Sequence, residues 1–406
     1  MLNTQFSSWP SFTQQEADAV SRVLLSNKVN YWTGTETREF EKEYANWVGT
    51  EYAIALANGT LALDLALQAM GAGAGDEVIV TPRSFIASVS TVVNAGALPV
   101  FADVEEATGN ISARTIAPHI TDKTKAIIAV HLAGWPCDMD EIMALAAQHN
   151  LWVIEDCAQA HGAKYKGKSV GSIGHVGAWS FCQDKIMTTG GEGGMVTTND
   201  KTLWQKMWEY KDHGKNYDSV YNKQHPPGFR WLHDNFGTNW RMMEMQAVLG
   251  RIQLERMADW TAKRTKNAAV LREMCLPYAS SEGFLSVPDA QFHEVLGQDS
   301  VHAYYKYYVY ARPDHLPADW SRDKIIQAFN EQGIPCFSGS CSEIYLEHAF
   351  DNHPSKPQQR LPVAKQLGET SLMFLAHPTL TDAEMQKVAQ VGKTIFDQIS
   401  QAVTST

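Results

Sequence analysis

The stretch "KAIIAVHLAGWPCDMDEIMALAAQHNLWVIED", from Lys125 to Asp156, decides the fold. Its opening, "KAIIAVHL", is a short unbroken apolar run and reads as a strand buried on both faces. "DMDEIMALAAQHN" carries apolar residues at helical spacing, and "LWVIED" is a second buried strand. Strand, helix and strand in succession make the crossover unit of a parallel sheet.

The same alternation extends in both directions. Upstream, "YAIALANGTLALDLALQAMGAGAGDEVIV" runs from a strand through Asn58-Gly59-Thr60 into an Ala/Leu-rich helix. "DEVIV" and "LPVFADV" are strand-like around the helix-compatible "SFIASVSTVVNAG", and "AWSFC" and "GGMVTT" follow downstream. The fold class is therefore α/β, a doubly wound, mostly parallel sheet between helices. "TQQEADAVSRVLLS" reads as a helix with a Thr-x-x-Glu cap, and "REFEKEYANWVG" as a second amphipathic helix. After the long helical stretch that begins at "RMMEMQAVLGRIQLE", the pattern changes to "YYKYYVYAR" between the helices "RDKIIQAFNEQG" and "AEMQKVAQVGKTIFDQIS". Two domains are expected, 1–259 and a smaller α/β domain over 260–406. The aromatic, proline-bearing loop "KNYDSVYNKQHPPGFRWLHDNFG" reads as functional or interfacial.

Composition removes several classes of function. With 45 acidic against 34 basic residues, a formal charge of -11 and no basic cluster, the chain is not expected to bind nucleic acid. The six cysteines are scattered without CxxC pairs, as suits reduced thiols and a cytoplasmic location. "MLNTQFSSWPSF" has neither the basic region nor the apolar run of a leader, and no segment approaches the about 20 apolar residues of a membrane span. His131, His161, His213 and His377 lack metal-ligand spacing, so no metal is expected.

In a doubly wound sheet, ligands lie beyond the carboxyl ends of the strands. Here those positions are Asn58 to Thr60, Pro82 to Phe85, His131, Asp156 to His161 and Ser180 to Lys185. "SFCQDKIMTTGGEGG" is not a P-loop, because its lysine precedes its glycines, and "GAGAG" at Gly71 to Gly75 follows a helix, so it is no dinucleotide fingerprint. Asp156 and Lys185 at one edge would alone make an ordinary ion pair. The helix opened by Asn58-Gly59-Thr60 can hold a phosphate, Phe85 can lie on a ring, and Ser180 adds a hydroxyl. Pyridoxal 5'-phosphate uses every one of these groups: a lysine for its aldehyde, an acid for its ring nitrogen and a cradle for its phosphate.

Taken in order, "ANGTLALDLAL", "GDEVIVTPRSFIASVSTVVNAGALPVFADVE", "VIEDCAQAHGAKYKGKSVGSIG", "SFCQDKIMTTGGEGGMVTTND" and "GTNWRMMEMQAVLGRIQLE" resemble the DegT/DnrJ/EryC1/StrS family of sugar aminotransferases, of aspartate-aminotransferase fold type I, over nearly the whole chain. The resemblance implies a seven-stranded large-domain sheet, Lys185 as the Schiff-base lysine, Asp156 as the ring-nitrogen partner and Phe85 as the stacking residue. It also implies Gln159 near the ring hydroxyl, Gly59, Thr60 and Ser180 on the phosphate, and Asn239 reaching the phosphate of a second subunit in an obligate homodimer. Glutamate as donor and a keto sugar on a nucleotide diphosphate as acceptor follow in the same way, for surface polysaccharide or secondary metabolism. Lys185 argues against the histidine-bearing sugar dehydratases of this fold, and lysine and acid together argue against a non-catalytic regulator. An aminotransferase of a non-nucleotide cyclic ketone has the same cofactor edge and stays open. Trp32, Thr33 and Gly34 are read as a substrate-side turn and His213 as facing the substrate. Tyr217 and Trp231 fit either base stacking or an interface. Arg83 in "PRSF", "GSCSEIYLEHAF" and "LAHP" depart from the family wording and are expected to touch the sugar and nucleotide side.

Overall fold

A computed structural model describes residues 6–404. The first five residues of the opening segment lie outside them. Seven strands form the larger sheet: β1 (Tyr52–Leu56), β2 (Glu77–Val80), β3 (Leu98–Phe101), β4 (Thr124–Val130), β5 (Trp152–Asp156), β6 (Val176–Ser180) and β7 (Gly194–Thr198). Their order is β1-β7-β6-β5-β4-β2-β3. β7 runs antiparallel to both neighbours, and the other paired strands are parallel. The carboxyl ends of β1, β2, β4, β5 and β6 consequently share one edge.

Burial on both faces explains the continuous apolar runs. In β2, Val78 and Val80 face the core under the helices Gly59–Met70 and Ala87–Asn94, while Ile79 joins the core under Met139–His149. Ala126 to Ala129 of β4 are all fully buried. The expected first helix spans Gln14–Leu25, and Glu16 accepts the Thr13 backbone N–H at 2.7 Å as in a capping box.

A second sheet comprises β8 (Leu285–Ser286), β9 (Tyr307–Ala311), β10 (Cys336–Phe337) and β11 (Ser371–Phe374), ordered β8-β9-β11-β10 and wholly antiparallel. It packs with the helices Met257–Cys275, Arg322–Glu331 and Asp382–Thr404 around Leu271, Phe329, Phe374 and Phe396. Residue 260 falls inside the helix Met257–Cys275, whose start packs into the first core and whose end packs into the second. Among the described residues, no helix is long and apolar enough to cross a membrane.

Candidate active site

A cleft of about 550 Å³ opens at the shared strand edge and is lined by Gly59, Thr60, Phe85, Asp156, Gln159, Ser180 and Lys185. A further cavity of about 370 Å³ continues it past Lys185 and Tyr305 toward Lys306, Gly339 and Cys341. Four of the five segments that the strand-end rule named thus converge here, and the fifth, His131, is buried beside Glu155 instead.

Asn58 ends the turn after β1 and caps the helix Gly59–Met70, its Oδ1 accepting the Leu61 N–H at 3.0 Å. The helix can start this close to β6 because Gly59 lacks a side chain: a Cβ there would fall 2.4 Å from Ser180 Cβ. From the other side, a Cβ on Gly194 would meet the Asn58 carbonyl oxygen at 2.2 Å. Helix start, Ser180 and the first residue of β7 therefore form one tight cradle of backbone donors and a hydroxyl, suited to a phosphate. The glycine-rich loop leading into β7 does what its composition suggests: Gly190 and Gly191 have φ of 87° and 116°, and the Gly193 carbonyl accepts the Phe181 N–H at 2.8 Å. The Glu192 carbonyl anchors it by accepting from Thr189 and Gln246, and the residue lines the cleft.

Successive residues of β5 point to opposite faces, which separates two adjacent acids. Glu155 turns inward, accepts the backbone N–H groups of Gly171, Ile173 and Gly174, and lies 2.9 Å from His131 Nε2. Burial works to raise its pKa, but His131 and these donors leave it below the ordinary carboxylate range. Asp156 faces the cleft, accepting Ser88 Oγ–H at 2.7 Å on Oδ2 and the Ala158 N–H at 3.1 Å on Oδ1. Burial pushes its pKa up against the opposing pull of Ser88, Ala158 and the Lys185 charge. A buried acid with no cation in contact is what a protonated ring nitrogen would pair with. Ser88, itself linked to Ser84 at 2.8 Å, is the orienting residue that sequence reasoning missed. Its position on the first turn of a short helix carries no distinguishing motif.

Lys185 is mostly covered, with Nζ 3.7 Å from Asp184 Oδ1 and 5.2 Å from the Tyr305 ring centre. Asp184 Oδ2 in turn accepts from the Tyr305 hydroxyl. Gln159 Oε1 accepts the Ala133 N–H at 2.8 Å, and the residue lines the cleft. Phe85 is 65% exposed and lines the cleft, so much of its apolar ring is open there. A phosphate cradle, a buried acid, an exposed ring face and an amine converge here, and this donor set fits pyridoxal phosphate.

Other expected site residues stand elsewhere. Trp32, Thr33 and Gly34 do form a turn, but Trp32 packs on Trp208 and lies under Lys215 Nζ at 4.1 Å, away from the cleft. His213 and Asn239 are exposed and adjacent, since His213 N–H donates to Thr238 O and Asp212 bridges Asn239. Neither lines the cleft of its own chain. Arg83 corrects the expectation of a cation on the sugar side. It is fully buried between the rings of Tyr308 and Tyr310, and its Nη1 donates to Tyr310 Oη at 2.8 Å, so it joins the two sheets. His131, Glu155 and Cys157 have ligand atoms within 4.8 Å of one another. Glu155 already accepts three backbone N–H groups and pairs with His131 Nε2, His131 Nδ1 accepts the Cys137 N–H, and burial holds the Cys157 thiol well above its usual pKa. His161 lies against Trp179 and Phe181, and burial lowers its pKa to about 3.

Comparison with known proteins agrees with this geometry. A family model described as the DegT/DnrJ/EryC1/StrS aminotransferase family matches residues 10–391. The X-ray structure of an aminotransferase from Psychrobacter cryohalolentis is 69% identical, covers 97% of this chain and 100% of its own, and superposes with a TM-score of 0.96. GDP-perosamine synthase of Escherichia coli O157:H7 is 36% identical over 388 residues, 93% of this chain and 94% of that protein. UDP-N-acetyl-3-dehydro-alpha-D-glucosamine 3-aminotransferase of Acidithiobacillus ferrooxidans is 35% identical over 92% of this chain and 91% of its own. Site and similarity together lead to one conclusion: the chain belongs to the DegT/DnrJ/EryC1/StrS aminotransferase family.

Proposed function

We propose that this protein is a pyridoxal-phosphate-dependent aminotransferase that moves an amino group from an amino acid, with glutamate the expected donor, to a keto sugar carried on a nucleotide diphosphate. The observation that carries this reading is the convergence of Lys185, Asp156 and the Gly59–Ser180 cradle at one sheet edge. The relatives named for GDP- and UDP-linked sugars support the substrate class.

When bound, pyridoxal phosphate supplies an aldehyde that accepts amino groups and a ring that withdraws electrons from the carbon losing a proton. The protein's residues do the rest. The helix start at Gly59 and Thr60, with Ser180, would hold the phosphate, Phe85 would cover the ring, and Gln159 would serve its hydroxyl. Asp156, fixed by Ser88 and Ala158, becomes fully charged once a cation stands beside it, which keeps a proton on the ring nitrogen. Lys185 Nζ would anchor the cofactor's aldehyde, and as a free amine it would serve as the acid and base that holds and moves the proton.

The proposal includes a homodimer in which Asn239 serves the partner's phosphate and Trp32, Thr33, Gly34 and His213 meet the partner's substrate. The exposed Phe229, Trp231 and Phe236 around Asn239 support a covered surface there. A division near residue 260 and a cytoplasmic setting, in keeping with six free cysteines, belong to the same reading. The product would serve surface polysaccharide or secondary metabolism. Assay of GDP-, UDP- and dTDP-linked keto sugars with glutamate tests it. Amination confined to ketones without a nucleotide would overturn the substrate class.

A further inference from the structure

Beside the Lys185 cleft lies a separate cavity of about 290 Å³, walled by the segment Phe6 to Trp9 and by Arg264, Lys306 and His377. Asp184, Tyr305 and Lys306 line both spaces, so this cavity adjoins the one that holds Lys185. The N-terminal segment is pinned over it: Trp9 Nε1 donates to the Lys185 carbonyl at 2.8 Å, and the Ser8 carbonyl accepts from Thr379 Oγ1 at 2.8 Å.

Arg264 is 1% exposed and meets no carboxylate among the described residues. Nη1 donates to the Tyr304 carbonyl at 3.2 Å, Trp9 lies over the guanidinium at 5.2 Å, and Nε and Nη2 have no partner. Burial lowers its pKa to about 9. Lys306 is likewise lowered to about 8 by burial, further by Arg264 and Lys185, against the pull of Asp184. Asp184, the only acid on the cavity wall among the described residues, is already engaged by Lys185 and Tyr305. His377, held near a pKa of 3 by burial and the two cations, is neutral. A buried guanidinium with two unpartnered donors is costly unless an anion completes it.

We infer that this cavity is the subsite for a carboxylate of the amino-acid donor, paired with Arg264 and flanked by Lys306. A planar fork of N–H donors matches a carboxylate, and the space suits a small acid rather than a nucleotide. The inference rests on the aminotransferase reading and adds where the donor's carboxylate is held.

Calorimetric titration of the cofactor-loaded enzyme with 2-oxoglutarate, and separately with inorganic phosphate, tests it without requiring turnover. Arg264→Gln is expected to weaken 2-oxoglutarate at least about tenfold and Arg264→Lys to restore part of that loss. Lys306→Met should weaken it less and keeps the test open where the Arg264 variants do not fold. In steady state the donor KM should rise while the KM of the nucleotide sugar holds. Unchanged 2-oxoglutarate affinity in the variants, a rise in nucleotide-sugar KM instead, or phosphate binding as tightly as 2-oxoglutarate would overturn the inference. A wild-type enzyme that binds 2-oxoglutarate through Arg264 yet aminates nothing would sink the aminotransferase reading and leave the subsite standing.

Discussion

Replacing Gly59 with alanine perturbs the phosphate cradle at its narrowest point. The added Cβ would lie 2.4 Å from Ser180 Cβ, 2.8 Å from its Oγ and 2.9 Å from its Cα. Carbon atoms rest at about 3.5–4.0 Å, so roughly 1 Å must be found. The turn has little freedom to retreat, because the Asn58 carbonyl already abuts Gly194 and the Asn58 side chain is committed to the helix cap. Overpacking of this kind costs about 1–3 kcal/mol. A helix start pushed off Ser180 also loses alignment with a bound phosphate, and one charge-assisted hydrogen bond is worth about 1.5–3 kcal/mol, or roughly 10- to 100-fold in affinity. Urea unfolding of the cofactor-free protein reads the first effect, and absorbance titration with pyridoxal phosphate reads the second. Ser180→Gly removes two of the three close atoms, so the double variant should recover at least about 1 kcal/mol relative to the sum of the singles. Wild-type midpoint and cofactor affinity in Gly59→Ala, or strict additivity in the cycle, would refute this account of the cradle.

Asp156→Asn should leave the cofactor-free protein at least as resistant to urea as wild type, because the Ser84–Ser88 hydroxyl pair can reverse its donors toward the amide and a buried charge is removed. Turnover should fall on the order of 10³, since a charge pair at an effective dielectric of about 20 is worth about 4 kcal/mol at 4 Å; unaltered turnover would contradict the pairing role. Phe85→Ala should change unfolding stability by no more than about 0.5 kcal/mol, the ring being exposed, yet weaken the cofactor about 3- to 10-fold. Stability should also fall with acid. His161 is fully buried and His302 nearly so, both with pKa values lowered to about 3 by desolvation, so the unfolded chain binds more protons below its ordinary value near 6.5. Each should cost about 2 kcal/mol between pH 7 and 5, and urea midpoints that stay flat over that window would contradict their burial as neutral rings.

Much of this molecule was legible because the apolar runs of a parallel sheet are hard to mistake, and the strand-end rule turns strand limits into a list of facing residues. Asp156, Ser180, Lys185 and the Asn58 turn fell out of it directly. Partners across elements were not legible. Nothing local marks Ser88 as the residue that orients Asp156, or distinguishes Glu155 from Asp156 before the face of β5 is known. No local motif marks Arg264 on the helix Met257–Cys275, yet it is buried against Trp9, more than 200 residues away. Arg83 misled in the opposite sense, because a loop arginine reads as solvent- or ligand-facing and here fills the joint between two sheets. Strand order, with β7 inserted antiparallel between β1 and β6, depends on long-range pairing that no local pattern encodes.

The most direct test of the central claim is the absorbance spectrum of the purified protein loaded with pyridoxal phosphate, followed through one complete exchange. The account predicts a visible band that is absent from Lys185→Ala, bleaches on addition of an amino-acid donor and returns when a nucleotide-linked keto sugar is added. A spectrum matching that of free cofactor, the same in wild type and Lys185→Ala and unmoved by any donor, would contradict it.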